Sequence, residues 1–227
     1  MTAPPSSPEA IRLFHEGSLV LSRIEAAGVR VDTAYLDNTI KETQARIRDY
    51  EEELKKDSVF KTWRMMYGEK TKLGSRDQLG NVIFGELGYK ENDGRKKEKK
   101  DTTKAVKRKR YTADEKAFEL IDLPFIKTYL KMEKQKKSLS TYLLGYQRGA
   151  VNGRIHPSYN LNIARTFRSS SDDPNWTNIP VRNPDMANMI RRCFIPSEGN
   201  HFVETDYAQL EVRIAACYNK DPNLIRY

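Results

Sequence analysis

Residues 202–215 read FVETDYAQLEVRIA. The alternation in Phe202–Asp206 predicts a strand. Leu210, Ile214 and Cys217 recur at helical spacing and predict a helix over roughly 208–218 with those three on one face. Asp206 falls where one gives way to the other. A carboxylate at that junction stands at an open edge that a divalent cation and a phosphate can both reach. Magnesium takes one or two carboxylates and completes its octahedron with water and phosphate oxygens. An aspartate ahead of a helix is also an ordinary N-cap, and Asp206 alone does not choose between the two. Glu204 lies on the same face of such a strand and is a second carboxylate candidate on spacing alone.

Upstream, residues 164–183 read ARTFRSSSDDPNWTNIPVRN. Arg165, Arg168, Ser169, Ser170, Ser171, Asn175, Asn178 and Arg182 make this run too polar for a core. Ser and Asn bond phosphate and sugar oxygens, and Arg reads groove edges. The same composition also builds plain Asx- and Ser-rich loops.

The rest of the chain sets the context. Its 227 residues allow one or two domains, and its net charge of +9 favours a polyanionic partner, nucleic acid before membrane. Cys193 and Cys217 form no CxxC pair, which argues against a zinc site or a disulfide framework; both read as small apolar fillers in a reducing compartment. No apolar run is long enough to span a bilayer, and the start, MTAPPSSPEA, lacks a signal-peptide core. The expected location is the cytoplasm.

Four regions are expected. Residues 1–9 are Pro- and Ser-rich and read as disordered. Residues 10–32 hold a helix to Ala27, weakened by Gly17 and ended by Gly28, and then a short extended passage. Residues 33–150 are helical. Asp32 caps a helix over 33–56 whose thin apolar stripe suggests that it projects from the body. Ser75 and Gln78 form a capping box ahead of a helix to Leu87, and Thr112 with Glu115 form another. Pro124 opens a long helix to about Gln147 with Lys127, Lys131, Lys134, Lys136 and Lys137 on its outer face. Between them, RKKEKKDTTKAVKRKR (95–110) carries ten Lys or Arg against two acids. It predicts a mobile basic loop over 92–111, either a phosphate-contacting tip, a solvated linker or a targeting signal. In 151–227, NGRIHPSYN (152–160) predicts a turn and hairpin that Pro157 confines to an edge, followed by a helix near 184–192.

TDYAQLEVRIA resembles the first palm motif of family A DNA polymerases, the DNA polymerase I family, usually Asp-Tyr-Ser-Gln-Ile-Glu-Leu-Arg. TFRSSSDDPNWTNIPVR resembles that family's Thr-Gly-Arg-Leu-Ser-Ser…Pro-Asn-Leu-Gln-Asn-Ile-Pro, and the two are joined by a similar IRRCFIPSEG. SRIEAAGVRVD resembles the opening of the polymerase region, and GSRDQLGNVIFGELGY and LSTYL resemble its thumb. The variant spelling is closer to phage-type enzymes. The resemblance implies an α+β fold: a helical thumb (33–150) on an incomplete palm with a short antiparallel sheet.

It also implies roles. Asp206 matches a metal-binding aspartate, with the Tyr207 carbonyl as the adjacent ligand of Mg2+. Glu211 matches the steric gate beneath the sugar. Tyr207, Gln209 and Glu211 fall around the incoming deoxynucleoside triphosphate. Arg168 matches the arginine in the minor groove near the primer terminus. Ser170, Asn175, Asn178 and Arg182, with Lys136 and Lys137 of the thumb, fall on the primer–template DNA. Phe167, Ser169, Thr177 and Ala208 depart from the family's Gly, Leu, Gln and Ser. Thr177 is too short to reach the same minor-groove acceptor. Position 204 is not the family's paired ligand. That partner lies in a later His-Asp-Glu motif, and His15, His156 and His201 all precede Asp206. The fingers are not matched either. The expectation is therefore a polymerase part, inactive alone, completed by a second protein chain carrying fingers and the remaining palm. Two alternatives stand beside it. One is a non-catalytic DNA-binding module derived from a thumb. The other is an RNA-synthesising relative, which the carboxylate of Glu211 argues against.

Overall fold

The computed structural model describes residues 7–89, 114–164, 168–180 and 183–226. The basic run 95–110, Thr112, Arg165, Phe167 and Arg182 lie outside the described residues. The chain divides into two compact units, one up to Ile195 and the other from Pro196.

The first unit opens with α1 (Pro8–Ala27), whose first turn is capped by Ser7: its Oγ accepts from the Ala10 amide at 3.2 Å. Gly17 does not break this helix, because Leu161 packs into the space where a side chain would be; a Cβ there would lie 3.0 Å from its Cδ1. Gly28 ends it at φ +59°, and a Cβ there would meet the His156 ring at 2.6 Å and the Ile155 carbonyl at 2.8 Å. This position needs glycine for its conformation and for the close approach. The His156 Nδ1–H donates to the Glu25 carbonyl at 2.8 Å, which ties the end of α1 to the strands below.

β1 (Val29–Arg30) leads into α2 (Thr33–Lys56), capped as expected by Asp32, whose Oδ1 accepts from the Tyr35 amide at 2.9 Å. The expectation that α2 projects is corrected. Leu36, Ile40, Thr43, Ile47 and Leu54 are buried at helical spacing along its whole length. Its polar composition belongs to the other face; the thin stripe is used end to end. α3 (Ser58–Tyr67) folds back from α2. α4 (Arg76–Gly80) widens into a π-helical stretch, Asn81–Glu86. α5 (Glu115–Glu119) follows, capped by Asp114, with Oδ1 accepting from the Ala117 amide, so the box expected at Thr112 does not set its start. α6 (Pro124–Lys137) runs through a π-helical stretch, Ser138–Leu143, into α7 (Leu144–Gly149), the long helix expected from Pro124.

Two cores result. Around one end of α2, Leu54, Trp63, Leu79, Ile83, Phe118, Ile126, Tyr129 and Met132 pack together. Around the other, Val31, Leu36, Ile40, Tyr142, Leu143 and Tyr146 share a core with Ile155, Ile190 and Cys193. Each cluster buries several large side chains at roughly 1.5–3 kcal/mol apiece. Packed against each other, α2 and the helix from Pro124 form the spine that joins both cores.

β2 (Ala150–Val151) and β3 (Arg154–Ile155) form the expected hairpin about Asn152–Gly153, both at positive φ, as a type I′ turn requires. β1 pairs on the other side of β3, giving the antiparallel order β1-β3-β2. β4 (Ser158–Asn160), directly after Pro157, pairs antiparallel with β5 (Ser170–Asp172) in a separate two-stranded sheet. α8 (Pro184–Arg191) closes the unit, and its following chain returns to β1: the Asp32 amide donates to Cys193 O at 2.9 Å, and the Ile195 amide to Arg30 O at 3.1 Å. The architecture is α+β, helical with short antiparallel sheets.

The second unit holds α9 (Leu210–Asn219) and α10 (Pro222–Arg226). The strand expected over Phe202–Asp206 is not formed; the segment is unpaired. A strand needs a neighbour to take its backbone hydrogen bonds, and none pairs with it. The expected apolar face of α9 is also corrected: Leu210, Ile214 and Cys217 are exposed, and Ala216 is the buried residue. Cys193 is the buried apolar filler expected of it; burial first, then the nearby Asp32 carboxylate, pushes its thiol up to about 12. Cys217 is not such a filler. No helix among the described residues is long and apolar enough to cross a membrane.

Candidate nucleic-acid and metal site

In the first unit two of the predicted contacts, Asn175 and Asn178, lie on one turn after β5. β5 is held in register by β4, with Tyr159 opposite Ser171. Ser171 is fully buried. Its Oγ accepts two hydrogen bonds from the chain beyond, from the Trp176 amide at 2.7 Å and the Thr177 amide at 3.0 Å. Between them the Asp173–Pro174 peptide is cis, and the chain closes into a short 3-10 turn, Trp176–Asn178. The Trp176 ring faces inward, 4.4 Å from the Phe194 ring and 6.3 Å from that of Tyr146. Tyr142, from the π-helical stretch after α6, donates its hydroxyl to the Asn178 carbonyl at 3.0 Å.

Anchored this way, the turn presents Asn175, Thr177 and Asn178 to solvent, and Arg168 is exposed just before β5. Thr177, which replaces the family's glutamine, donates its hydroxyl to Asn175 Oδ1 at 3.1 Å. It acts on its neighbour instead of reaching outward. Ser170 differs from the rest: its hydroxyl is enclosed, with no hydrogen-bond partner among the described residues.

The lysine face of the long helix is less bare than the sequence suggests. Lys136 Nζ lies 2.8 Å from Glu51 Oε1, Lys127 Nζ lies 2.6 Å from Asp122 Oδ1, and Lys134 bridges to Glu115 at 3.6 Å. The Lys127 ammonium holds the Asp122 carboxyl below its ordinary value. Lys131 and Lys137 are exposed and have no ion pair among the described residues.

A second organising centre is Gln78. Ser75 caps α4, its Oγ accepting from the Gln78 amide at 3.4 Å, but the Gln78 side chain does not return the bond as a capping box would. Its Oε1 accepts from Trp63 Nε1 at 3.0 Å and the Lys72 amide at 2.9 Å, and its Nε2 donates to Lys70 O at 2.9 Å. One side chain thereby fixes the loop between α3 and α4, with its Lys70 and Lys72. Nothing in the spacing of Ser75 and Gln78 distinguishes the two uses.

In the second unit, Asp206 and Tyr207 stand exposed on the unpaired segment before α9. Gln209, at φ +53°, occupies the N-cap position and makes no side-chain cap. Asp206 is therefore not the helix cap that its position in sequence also allowed, and its carboxylate has no partner among the described residues. Glu211 lies in the first turn of α9, and the Arg213 Nε–H donates to Ala208 O at 2.8 Å, bracing the approach to the helix. With no strand over 202–206, Glu204 and Asp206 share no strand face. Among the described residues no three His, Cys, Asp or Glu side chains gather closely enough to hold a metal ion. Asp206 with the Tyr207 carbonyl fits part of a magnesium shell, the remainder of which water and phosphate commonly fill.

The sequence placed Ser171 with the polar run expected to face phosphate and sugar, and the structure corrects this by burying it; Tyr142 was not singled out as a site residue. One serine in a run of three carries no mark of which hydroxyl turns inward, and Tyr142 stands far along the chain from the turn it holds.

Residues 34–227 match the family described as DNA polymerase family A. The chain is 39% identical over 212 residues to the thermostable DNA polymerase I of Thermus thermophilus, covering 92% of this chain and 23% of that protein. It is 30% identical to DNA polymerase I of Bacillus subtilis, covering 92% of this chain and 22% of the relative. Among solved structures it is similar to the POL domain of Pol1 from M. smegmatis in complex with DNA primer-template and dNTP. There the TM-score is 0.70 at 32% identity, over 91% of this chain and 33% of that one. The chain thus spans about a quarter of the length of these curated relatives. It belongs to DNA polymerase family A.

Proposed function

We propose that this chain is the part of a DNA-directed DNA polymerase that grips primer–template DNA and supplies Asp206 to a two-metal nucleotidyl-transfer centre. One observation carries the reading: at 32% identity, 91% of the chain superposes on a polymerase domain solved with DNA primer-template and dNTP. Arg168, Asn175 and Asn178 on the turn, with Arg182, contact the DNA near the primer terminus. Lys137 and the basic run 95–110 neutralise duplex phosphates without reading sequence. Lys136 contributes less, since Glu51 already offsets its charge.

Magnesium would be held by the Asp206 carboxylate and the Tyr207 carbonyl; when bound, it polarises the phosphoryl oxygens and neutralises developing charge. Tyr207 and Gln209 border the incoming deoxynucleotide, and Glu211 lies beneath its sugar. The second carboxylate and the cations for the triphosphate come from further polymerase segments, on a second chain or in one continuous chain. Phe202, Val203, Tyr207, Val212, Ile214 and Tyr218 are all exposed, an apolar surface that suits such a neighbour.

Anisotropy of a labelled primer–template titrated with the chain tests the grip. The expected result is binding that weakens steeply between about 50 and 200 mM salt, as multiple phosphate contacts require. Asn175→Ala with Asn178→Ala should weaken it further at fixed salt. No binding at the lowest salt would overturn the reading.

A further inference from the structure

We propose that Ser171 and Tyr142 are positioning residues for the DNA grip, holding the turn 173–178 by its Trp176 and Thr177 amides and its Asn178 carbonyl so that Asn175 and Asn178 face the duplex. The inference rests on the polymerase reading above and names residues that it does not use directly.

Apart from the Trp176 ring packed against Phe194 and Tyr146, the turn has little secondary structure to shape it. β5 is short, the 3-10 segment is a single turn, and Asn175, Thr177 and Asn178 are exposed. An exposed segment of this kind samples many conformations unless its backbone groups are tied down. Two hydroxyls supply the ties. Ser171 Oγ is completely enclosed and accepts from two successive amides, Trp176 and Thr177, at 2.7 and 3.0 Å. Those amides lie between the two asparagines, so Ser171 fixes the direction in which both side chains leave the backbone. Its neighbour Ser170, with its hydroxyl enclosed and without a partner among the described residues, makes no such tie. At the far end, Tyr142 Oη donates to Asn178 O at 3.0 Å. The Tyr142 ring is part of the core beneath. Its hydroxyl therefore links the long helix from Pro124 to the turn, so the element that carries Lys137 and the turn that carries the asparagines share one rigid connection.

Neither residue reaches solvent with its hydroxyl engaged as it is, so neither is expected to touch DNA. Their effect must pass through Asn175 and Asn178. This separates the proposal from a general contribution to folding, which would act on binding whether or not the asparagines are present.

The test is a double-mutant cycle on primer–template affinity, with amide hydrogen exchange measured on the same proteins. Ser171→Ala removes the acceptor, Ser171→Cys keeps the volume with a far weaker one, and Tyr142→Phe removes only the hydroxyl and leaves the core ring. Ser171→Ala and Ser171→Cys should each weaken binding about tenfold, and Tyr142→Phe by ~3-fold. In the Asn175→Ala/Asn178→Ala background the same changes should have no further effect. The Trp176 and Thr177 amides should exchange faster in both Ser171 variants, while those of α2 do not. An equal loss of affinity in both backgrounds would overturn the proposal and make these residues merely structural. Unchanged affinity in the original background, or unchanged exchange at Trp176 and Thr177, would also overturn it. If the unsubstituted chain fails to bind primer–template, the polymerase reading fails, and the exchange data still decide whether Ser171 holds the turn.

Discussion

Glu211 stands in the first turn of α9, shortly after the exposed Asp206. In the proposed site its carboxylate lies under the sugar of the incoming nucleotide, where a 2′-hydroxyl would need its space and would meet a desolvated anion. Discrimination of this kind is a difference between two affinities produced by a clash. Glu211→Ala in the assembled polymerase should raise ribonucleotide incorporation by about 10-fold or more relative to deoxynucleotides. Primer extension with each nucleotide type measures it, and an unchanged ratio would remove Glu211 from that role. Asp206 shows how far a single residue can be read. Its chemistry and its place before a helix were legible, and so were two opposite uses. The structure removes the cap, because Gln209 takes that position and leaves the carboxylate without a partner among the described residues. Asn175 and Asn178 are exposed, as their polar run suggested, whereas the burial of Ser171 was hidden by its neighbours: three serines in a row differ only in which side of a short strand each faces.

At the scale of elements, periodicity served where local order decides the outcome. The cap at Asp32, the stop at Gly28 and the Asn152–Gly153 turn are all short-range chemistry, and each forms as its residues require. Long-range partners were not legible. Gln78 has the spacing of a capping box, yet its amide serves Trp63, Lys72 and Lys70, because a buried indole N–H costs more unpaired than an exposed helix end does. Gln78→Ala should lower unfolding free energy by about 2 kcal/mol by stranding Trp63 Nε1 in the core. Gln78→Glu, which keeps the acceptor, should recover part of this. Urea denaturation of the three proteins checks the order; equal midpoints would show that Gln78 does not organise the loop. The segment 202–206 failed for the complementary reason. Its alternation suits a strand, but a strand is a property of two segments, and no second one pairs with it among the described residues.

For the whole molecule, net charge pointed to nucleic acid before any motif was recognised, and the two motifs on either side of α8 placed the chain in its family. Less legible was how the mass is distributed. α2 looked like a projection and is a spine joining two cores. α1 buries no residue fully, and the unit from Pro196 exposes most of its apolar side chains. Exposed surface of this type is what a composition average cannot reveal, since it depends on what each face meets. The central claim is that this chain grips primer–template DNA and carries one carboxylate of a two-metal centre. The most direct measurement adds the purified chain to a labelled primer–template with magnesium and all four deoxynucleotides, reading binding and extension in one sample, with Asp206→Ala alongside. Both proteins should bind and neither should extend the primer until the remaining polymerase segments are supplied; extension should then appear with Asp206 and not with Asp206→Ala. Extension by this chain alone that Asp206→Ala abolishes would contradict the central claim, as would extension in the completed enzyme that does not depend on Asp206.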